Sequence, residues 1–110
     1  ESLLIVLIED IIAVENLDEI LKVDHIDVFF VAPNDLASTM GYIGRSTDKV
    51  VQNVIDETLL NISRSGRISG ALVTNQNVEH YKSLGVKFFA TNITPWMTSG
   101  LKEFSDKLGN

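Results

Sequence analysis

The runs Leu3-Leu4-Ile5-Val6-Leu7-Ile8 and Ile26-Asp27-Val28-Phe29-Phe30-Val31 are dense in large apolar residues and do not alternate with polar ones. Strands of that kind are buried on both faces, and such burial is the mark of a parallel sheet wrapped by helices. Each run is followed by a carboxylate: Glu9 directly after the first, and Asp35 after Ala32-Pro33-Asn34. In parallel α/β folds the chemistry collects at the carboxyl ends of the strands. A Glu and an Asp at matching positions on consecutive strands make a small anionic pocket suited to a hard divalent cation. Taken singly, each is as well explained as a helix cap or a solvated loop residue.

The rest of the chain continues the alternation. Strands are predicted over 3–8, 26–31, 68–73 and 86–91, and helices over 12–23, 48–65, 76–84 and 95–107. Val14, Leu17, Ile20 and Leu21 share one face of the first helix, and Val50, Val51, Val54, Ile55, Leu59 and Ile62 one face of the second. Pro33 ends the second strand, and a short helical turn is expected over Asp35–Met40 before the break at Gly41 to Gly44. Thr47 is a candidate cap for the long helix, Asn75 or Asn77 for the next, and Gly66 and Gly85 are placed to stop the two. Four βα units joined by right-handed crossovers predict a parallel (βα)4 array with strand order 1-2-3-4, half of an eight-stranded barrel. A flavodoxin-like binding module is disfavoured by four strands and no glycine-rich phosphate loop.

The 110 residues, 45% of them hydrophobic, suffice for one compact core. Net charge is −6 with no Lys/Arg cluster, which argues against nucleic acid and anionic membranes as partners. A small anionic substrate remains compatible, because a bound divalent cation inverts the local charge. The absence of cysteine excludes disulfides, thiolate nucleophiles and zinc–sulfur sites. No apolar run approaches a membrane span and no signal peptide is visible, so cytoplasmic residence is the expectation. The chain begins at Glu1 and enters a strand almost at once, which reads as the middle of something longer.

The pieces Ile8-Glu9-Asp10, Ala13-Val14-Glu15-Asn16-Leu17-Asp18-Glu19-Ile20-Leu21, Ile26 through Ala37 and Met40-Gly41-Tyr42 resemble the HpcH/HpaI aldolase/citrate lyase family. These are metal-dependent class II pyruvate aldolases, among them 4-hydroxy-2-oxo-heptanedioate and 2-dehydro-3-deoxy-glucarate aldolases. Ser65-Gly66-Arg67-Ile68-Ser69-Gly70 and Tyr81 through Ala90 agree with the same family. The resemblance covers nearly the whole chain and corresponds to strands five to eight of the family's TIM barrel.

That resemblance implies a set of roles. Glu9 and Asp35 match the two protein ligands of a Mg²⁺ or Mn²⁺ ion, and the N–H groups of Asn34 and Asp35 match those that hold the carboxylate of pyruvate or another 2-oxo acid. Leu72 matches a position on the apolar side of the substrate pocket. Two features depart from the family: Leu7 stands where a Gln is usual, and Ala32 where a Gly is usual. The family's catalytic His and carbonyl-binding Arg belong to the first half of its barrel. Arg45, in the loop after the second strand, is the one cation here on the correct side; His25 lies at the opposite end, and His80 within a helix. Asp10 and Glu15 are expected to favour the start of the first helix through its dipole. Trp96 and Met97 are expected at a subunit contact, and Thr91 and Asn92 at the active end.

The expected function is therefore the C-terminal half of an aldolase acting on a pyruvate enolate, completed by a missing N-terminal half or by homo-oligomerisation. The alternative is a non-catalytic half-barrel that is structural and oligomeric only. An uncovered apolar sheet face argues in either case against a monomer.

Overall fold

The computed structural model of the chain describes residues 1–109. Its order is β1 (Ile5–Ile8), α1 (Ile11–Glu15), α2 (Leu17–Ile20), β2 (Val28–Val31), α3 (Pro33–Thr39), α4 (Lys49–Arg64), β3 (Ser69–Leu72), α5 (Val78–Ser83), β4 (Phe88–Ala90) and α6 (Thr94–Lys107). The four strands form one parallel sheet in the order β1-β2-β3-β4. This is the predicted wall of a barrel, with no switch point. The ladders are shorter than the apolar runs because pairing begins two residues late in β1 and β2 and in the run that opens at Val86.

Strand register sorts the side chains by face. Ile8, Phe29, Val31, Ala71 and Val73 are buried in the main core, against Leu36 of α3, Val51, Ile55, Leu59 and Ile62 of α4, and Tyr81 of α5. The opposite face carries Ile5 and Leu7 of β1, both exposed, with Val28 and Phe30 paired beside them. Gly70 lies between Phe30 and Phe88, whose rings meet edge to face at 6.3 Å. A methyl group on Gly70 would come within 2.8 Å of Phe30, so only glycine leaves both rings their places. Only one face of the sheet is covered.

Several helix boundaries differ from expectation for local reasons. The predicted helix over 12–23 is two pieces, because Asn16 leaves helical geometry (φ −102°, ψ 17°) and its Nδ2 donates to the Ile12 carbonyl. Asp10 does cap α1, its carboxylate accepting the Ile12 N–H at 2.7 Å, whereas Glu15 is the last residue of that helix and not at its start. Asp48, not Thr47, caps α4 by accepting the Val50 N–H. α3 starts earlier than expected, at Pro33, where a residue without an N–H costs the first turn nothing. Gly66 and Gly85 both take φ 86° and end α4 and α5 as expected. Arg67 donates to the carbonyls of Leu21, Val23 and Ile26 and lies over the Phe29 ring at 4.7 Å, pinning the turn that leads into β2.

α6 stands apart from the core. Every residue from Thr91 to Gly109 is exposed, and Met97, Leu101, Phe104 and Leu108 line up along one side of the helix with no partner. No helix of the described residues is long and apolar enough to cross a membrane.

Candidate functional site

β1 and β2 pair in parallel, Ile8 beside Val31, so the segments that leave them emerge side by side at one rim of the sheet. Ala32-N–H bonds back to the Ile8 carbonyl at 3.0 Å and holds the two strand ends together. Glu9 and Asp35, with Asp10, Ser38 and Thr39, line a single open recess there. The sequence pattern had placed both carboxylates at that rim.

The neighbours of the two carboxylates are already engaged. Asp10 caps α1, Ser38 Oγ donates to the Asn34 carbonyl, and Thr39 Oγ1 both donates to the Leu36 carbonyl and accepts the Ile11 N–H. Thr39 thus ties α1 to α3 and holds the floor of the recess. Nothing in the local sequence signals this role, because its partner Ile11 is 28 positions away. Among the described residues, the carboxylates of Glu9 and Asp35 enter no hydrogen bond or ion pair, and no Lys, Arg or His lines the recess with them. Two unengaged carboxylates facing one space repel each other unless a cation lies between them. They and their surroundings are an all-oxygen donor set of the kind a hard divalent ion takes. Among the described residues no group of three or more His, Asp or Glu side chains is assembled for a metal, so a cation here would draw the rest of its shell from water or ligand.

α3 adds a second feature. Its N-cap, Ala32, has no side chain able to accept the first-turn amides, and Pro33 contributes none. The N–H groups of Asn34 and Asp35 are therefore the open donors of the first turn, beside the recess. An anionic group is favoured at such a position.

Along the same rim, the ends of β3 and β4 border a second recess of about 320 Å³, lined by Leu72, Asn75, Gln76, Asn92 and Trp96 among others. Leu72 lies there, one strand over from β2. Trp96, expected at a subunit contact, lines this recess, while Met97 belongs to the exposed ridge of α6. Thr91 Oγ1 donates to the Val73 carbonyl and fixes the two strand ends to each other.

The remaining candidates lie elsewhere. Arg45 pairs with Asp48 at 2.7 Å and rests over the Tyr42 ring at 5.0 Å, and it lines neither recess. His25 is exposed in the turn before β2, with φ 67°. His80 binds Asp56 at 2.7 Å across α5 and α4, on the helical side of the sheet. A third recess lies between α1, α2 and α4. Leu7, one of the two departures from the family pattern, is an exposed apolar residue on the uncovered face.

The profile of the HpcH/HpaI aldolase/citrate lyase family matches residues 1–94. A hydroxypyruvate/pyruvate aldolase of Roseovarius nubinhibens is 35% identical over 91 residues, which is 82% of this chain and 35% of that protein. A 4-hydroxy-2-oxo-heptane-1,7-dioate aldolase of Escherichia coli is 35% identical over 82 residues, 74% of this chain and 31% of that protein. The chain thus spans about a third of the length of these relatives. Among solved structures, an HpcH/HpaI aldolase/citrate lyase family protein from Burkholderia cenocepacia superposes with a TM-score of 0.86 at 19% identity, over 99% of this chain and 43% of that one. The HpcH/HpaI aldolase of Desulfitobacterium hafniense gives 0.77 at 21% identity, over 94% of this chain and 42% of that one. At such identities the structural likeness speaks for the fold, and the sequence match carries the family: this chain belongs to the HpcH/HpaI aldolase/citrate lyase family.

Proposed function

We propose that residues 1–110 are the metal- and 2-oxo-acid-binding C-terminal half of a divalent-metal-dependent aldolase, one that cleaves or forms a carbon–carbon bond to a pyruvate enolate. The observation that supports the proposal is the recess at the ends of β1 and β2, which Glu9 and Asp35 both line and where, among the described residues, no protein side chain is hydrogen-bonded or ion-paired to either carboxylate. When bound, Mg²⁺ or Mn²⁺ supplies Lewis-acid polarisation of the substrate ketone and stabilises the charge of the enolate.

The chain's own residues do the rest of the positioning. Glu9, just after β1, and Asp35, in the first turn of α3 after β2, would hold the cation at the rim. The N–H groups of Asn34 and Asp35 receive the substrate carboxylate, so that its ketone is turned toward the same point. Leu72, on the next strand, offers an apolar contact for the carbon that becomes nucleophilic. Proton transfer falls to a group outside this set, since His25 and His80 line neither rim recess and Arg45 is held by Asp48. The family resemblance assigns those tasks to a His and an Arg of the barrel's first half.

Oxalate, a flat dianion that mimics the enolate, tests the reading. It brings two oxygens to the cation and a carboxylate to two backbone N–H groups. Charge-assisted hydrogen bonds of about 1.5–3 kcal/mol predict that oxalate tightens Mn²⁺ binding by roughly tenfold or more. Water-proton relaxation of Mn²⁺ measures this. Glu9→Gln should abolish the tightening; equal tightening in Glu9→Gln and the native chain would leave the non-catalytic half-barrel as the better description.

A further inference from the structure

Asp35 and Thr39 stand four residues apart on α3, so their side chains share one face of that helix. Both line the recess that Glu9 enters from β1. The Thr39 hydroxyl reaches off its own helix: Oγ1 accepts the Ile11 N–H at 2.9 Å while donating to the Leu36 carbonyl at 2.9 Å. Ser38 Oγ, by contrast, donates to the Asn34 carbonyl within α3. Among the described residues, the Thr39–Ile11 bond is the only hydrogen bond between α1 and α3.

The segment that carries Glu9 is therefore pinned at both ends to the unit that carries Asp35. At one end the Ala32 N–H holds the Ile8 carbonyl at 3.0 Å, and at the other Thr39 holds Ile11. Only Glu9 and Asp10 lie between the pins, and the Asp10 carboxylate is engaged by the Ile12 N–H. Ile8 is buried in the core, so packing backs the first pin. The second is a single hydroxyl at the surface. Removing it frees one end of the segment, and the Glu9 carboxylate with it, without altering either carboxylate.

The choice of cation is sensitive to that freedom. Mg²⁺ takes a near-ideal octahedron of oxygens at about 2.0–2.1 Å, whereas Ca²⁺ accepts a flexible shell at about 2.3–2.6 Å. Two carboxylates held at a set spacing suit the smaller ion. Like charges that are free to drift apart do so, and the rigid small shell tolerates this less than the Ca²⁺ shell does. We propose that Thr39 is a positioning residue of the metal site: it fixes the start of α1 against α3, sets the gap between Glu9 and Asp35, and thereby favours Mg²⁺ or Mn²⁺ over Ca²⁺. The proposal rests on the metal reading above.

The Ile11 N–H lies at the surface, where water can take the place of the hydroxyl, so Thr39→Val is expected to fold. Amide exchange in EDTA reads the bond itself. The Ile11 amide should exchange roughly two- to tenfold faster in Thr39→Val than in the native chain, the loss of one hydrogen bond, and at the native rate in Thr39→Ser. Water-proton relaxation of bound Mn²⁺, with Mg²⁺ and then Ca²⁺ as the displacing ion, reads the site. The preference for Mg²⁺ over Ca²⁺ should fall by roughly two- to tenfold in Thr39→Val and be retained in Thr39→Ser. A structural tie alone would lower the urea midpoint of Thr39→Val and leave the ion preference unchanged. That result overturns the proposal, as does an Ile11 amide indifferent to Thr39→Val or an equal loss of preference in Thr39→Ser. In each of these cases native binding of Mn²⁺ leaves the aldolase reading standing; a native chain that binds no Mn²⁺ overturns both.

Discussion

Gly70 occupies the centre of β3, where an added Cβ would meet Phe30 at 2.8 Å, Val28 at 3.0 Å and Phe88 at 3.2 Å. Phenyl rings in an edge-to-face pair have little room to yield, so Gly70→Ala should destabilise the chain by about 1–3 kcal/mol. Urea unfolding should show a lower midpoint with an unchanged slope, and an unchanged midpoint would mean that the open face relaxes freely. This constraint could not be read from the sequence, where Ser69-Gly70-Ala71 only looks like a weak strand. Glu9 and Asp35 were legible, because an acidic residue after each of two apolar runs is a local pattern with a topological meaning. The engagement of Thr39 and Ser38, which leaves those two carboxylates without a protein partner in their recess, was not. It depends on contacts between segments that only the fold brings together.

At the scale of elements, the strands followed from their unbroken apolar runs and their order from four successive βα units, although one face of the sheet is uncovered, while helix ends followed from individual side chains that periodicity does not weigh. Val14, Leu17, Ile20 and Leu21 keep helical spacing across Asn16, so the break between α1 and α2 is invisible to a hydrophobic pattern. α5 packs on α4 through Tyr81, which is buried, and through His80 on Asp56, whose other carboxylate oxygen is buried without a partner. Burial, and then the nearby Asp56 charge, push the Tyr81 phenol above its usual value of 10.0. The folded state therefore holds this proton more tightly than the unfolded chain does. The corresponding stability is fully present below pH 10.0 and is lost as pH rises through the higher folded value. Urea midpoints between about pH 8 and pH 11 should fall more steeply for the native chain than for Tyr81→Phe. Parallel curves would show that the phenol of Tyr81 contributes no such linkage.

Among the described residues, apolar surface is uncovered on the sheet face with Ile5 and Leu7 and on the ridge of α6 with Leu101 and Phe104. Burying a few hundred Å² of such surface at about 25 cal/mol/Å² yields several kcal/mol, which favours association of copies. Two half-barrels about a two-fold axis would also pair the free edges of β1 and β4. Sedimentation at micromolar concentration should find species heavier than the 12.2 kDa chain, and Phe104→Lys should lower their mass. A clean 12.2 kDa species from the native protein would contradict association. Whatever its assembly, the proposed chemistry depends on one site, the carboxylate pair at the shared end of β1 and β2. Calorimetric titration of Mn²⁺ in the presence of oxalate tests that site most directly, comparing the native chain with Asp35→Ala. The native protein should give saturable heat at about one ion per chain and Asp35→Ala none; equal binding by the two would rule out the carboxylate pair as the metal site.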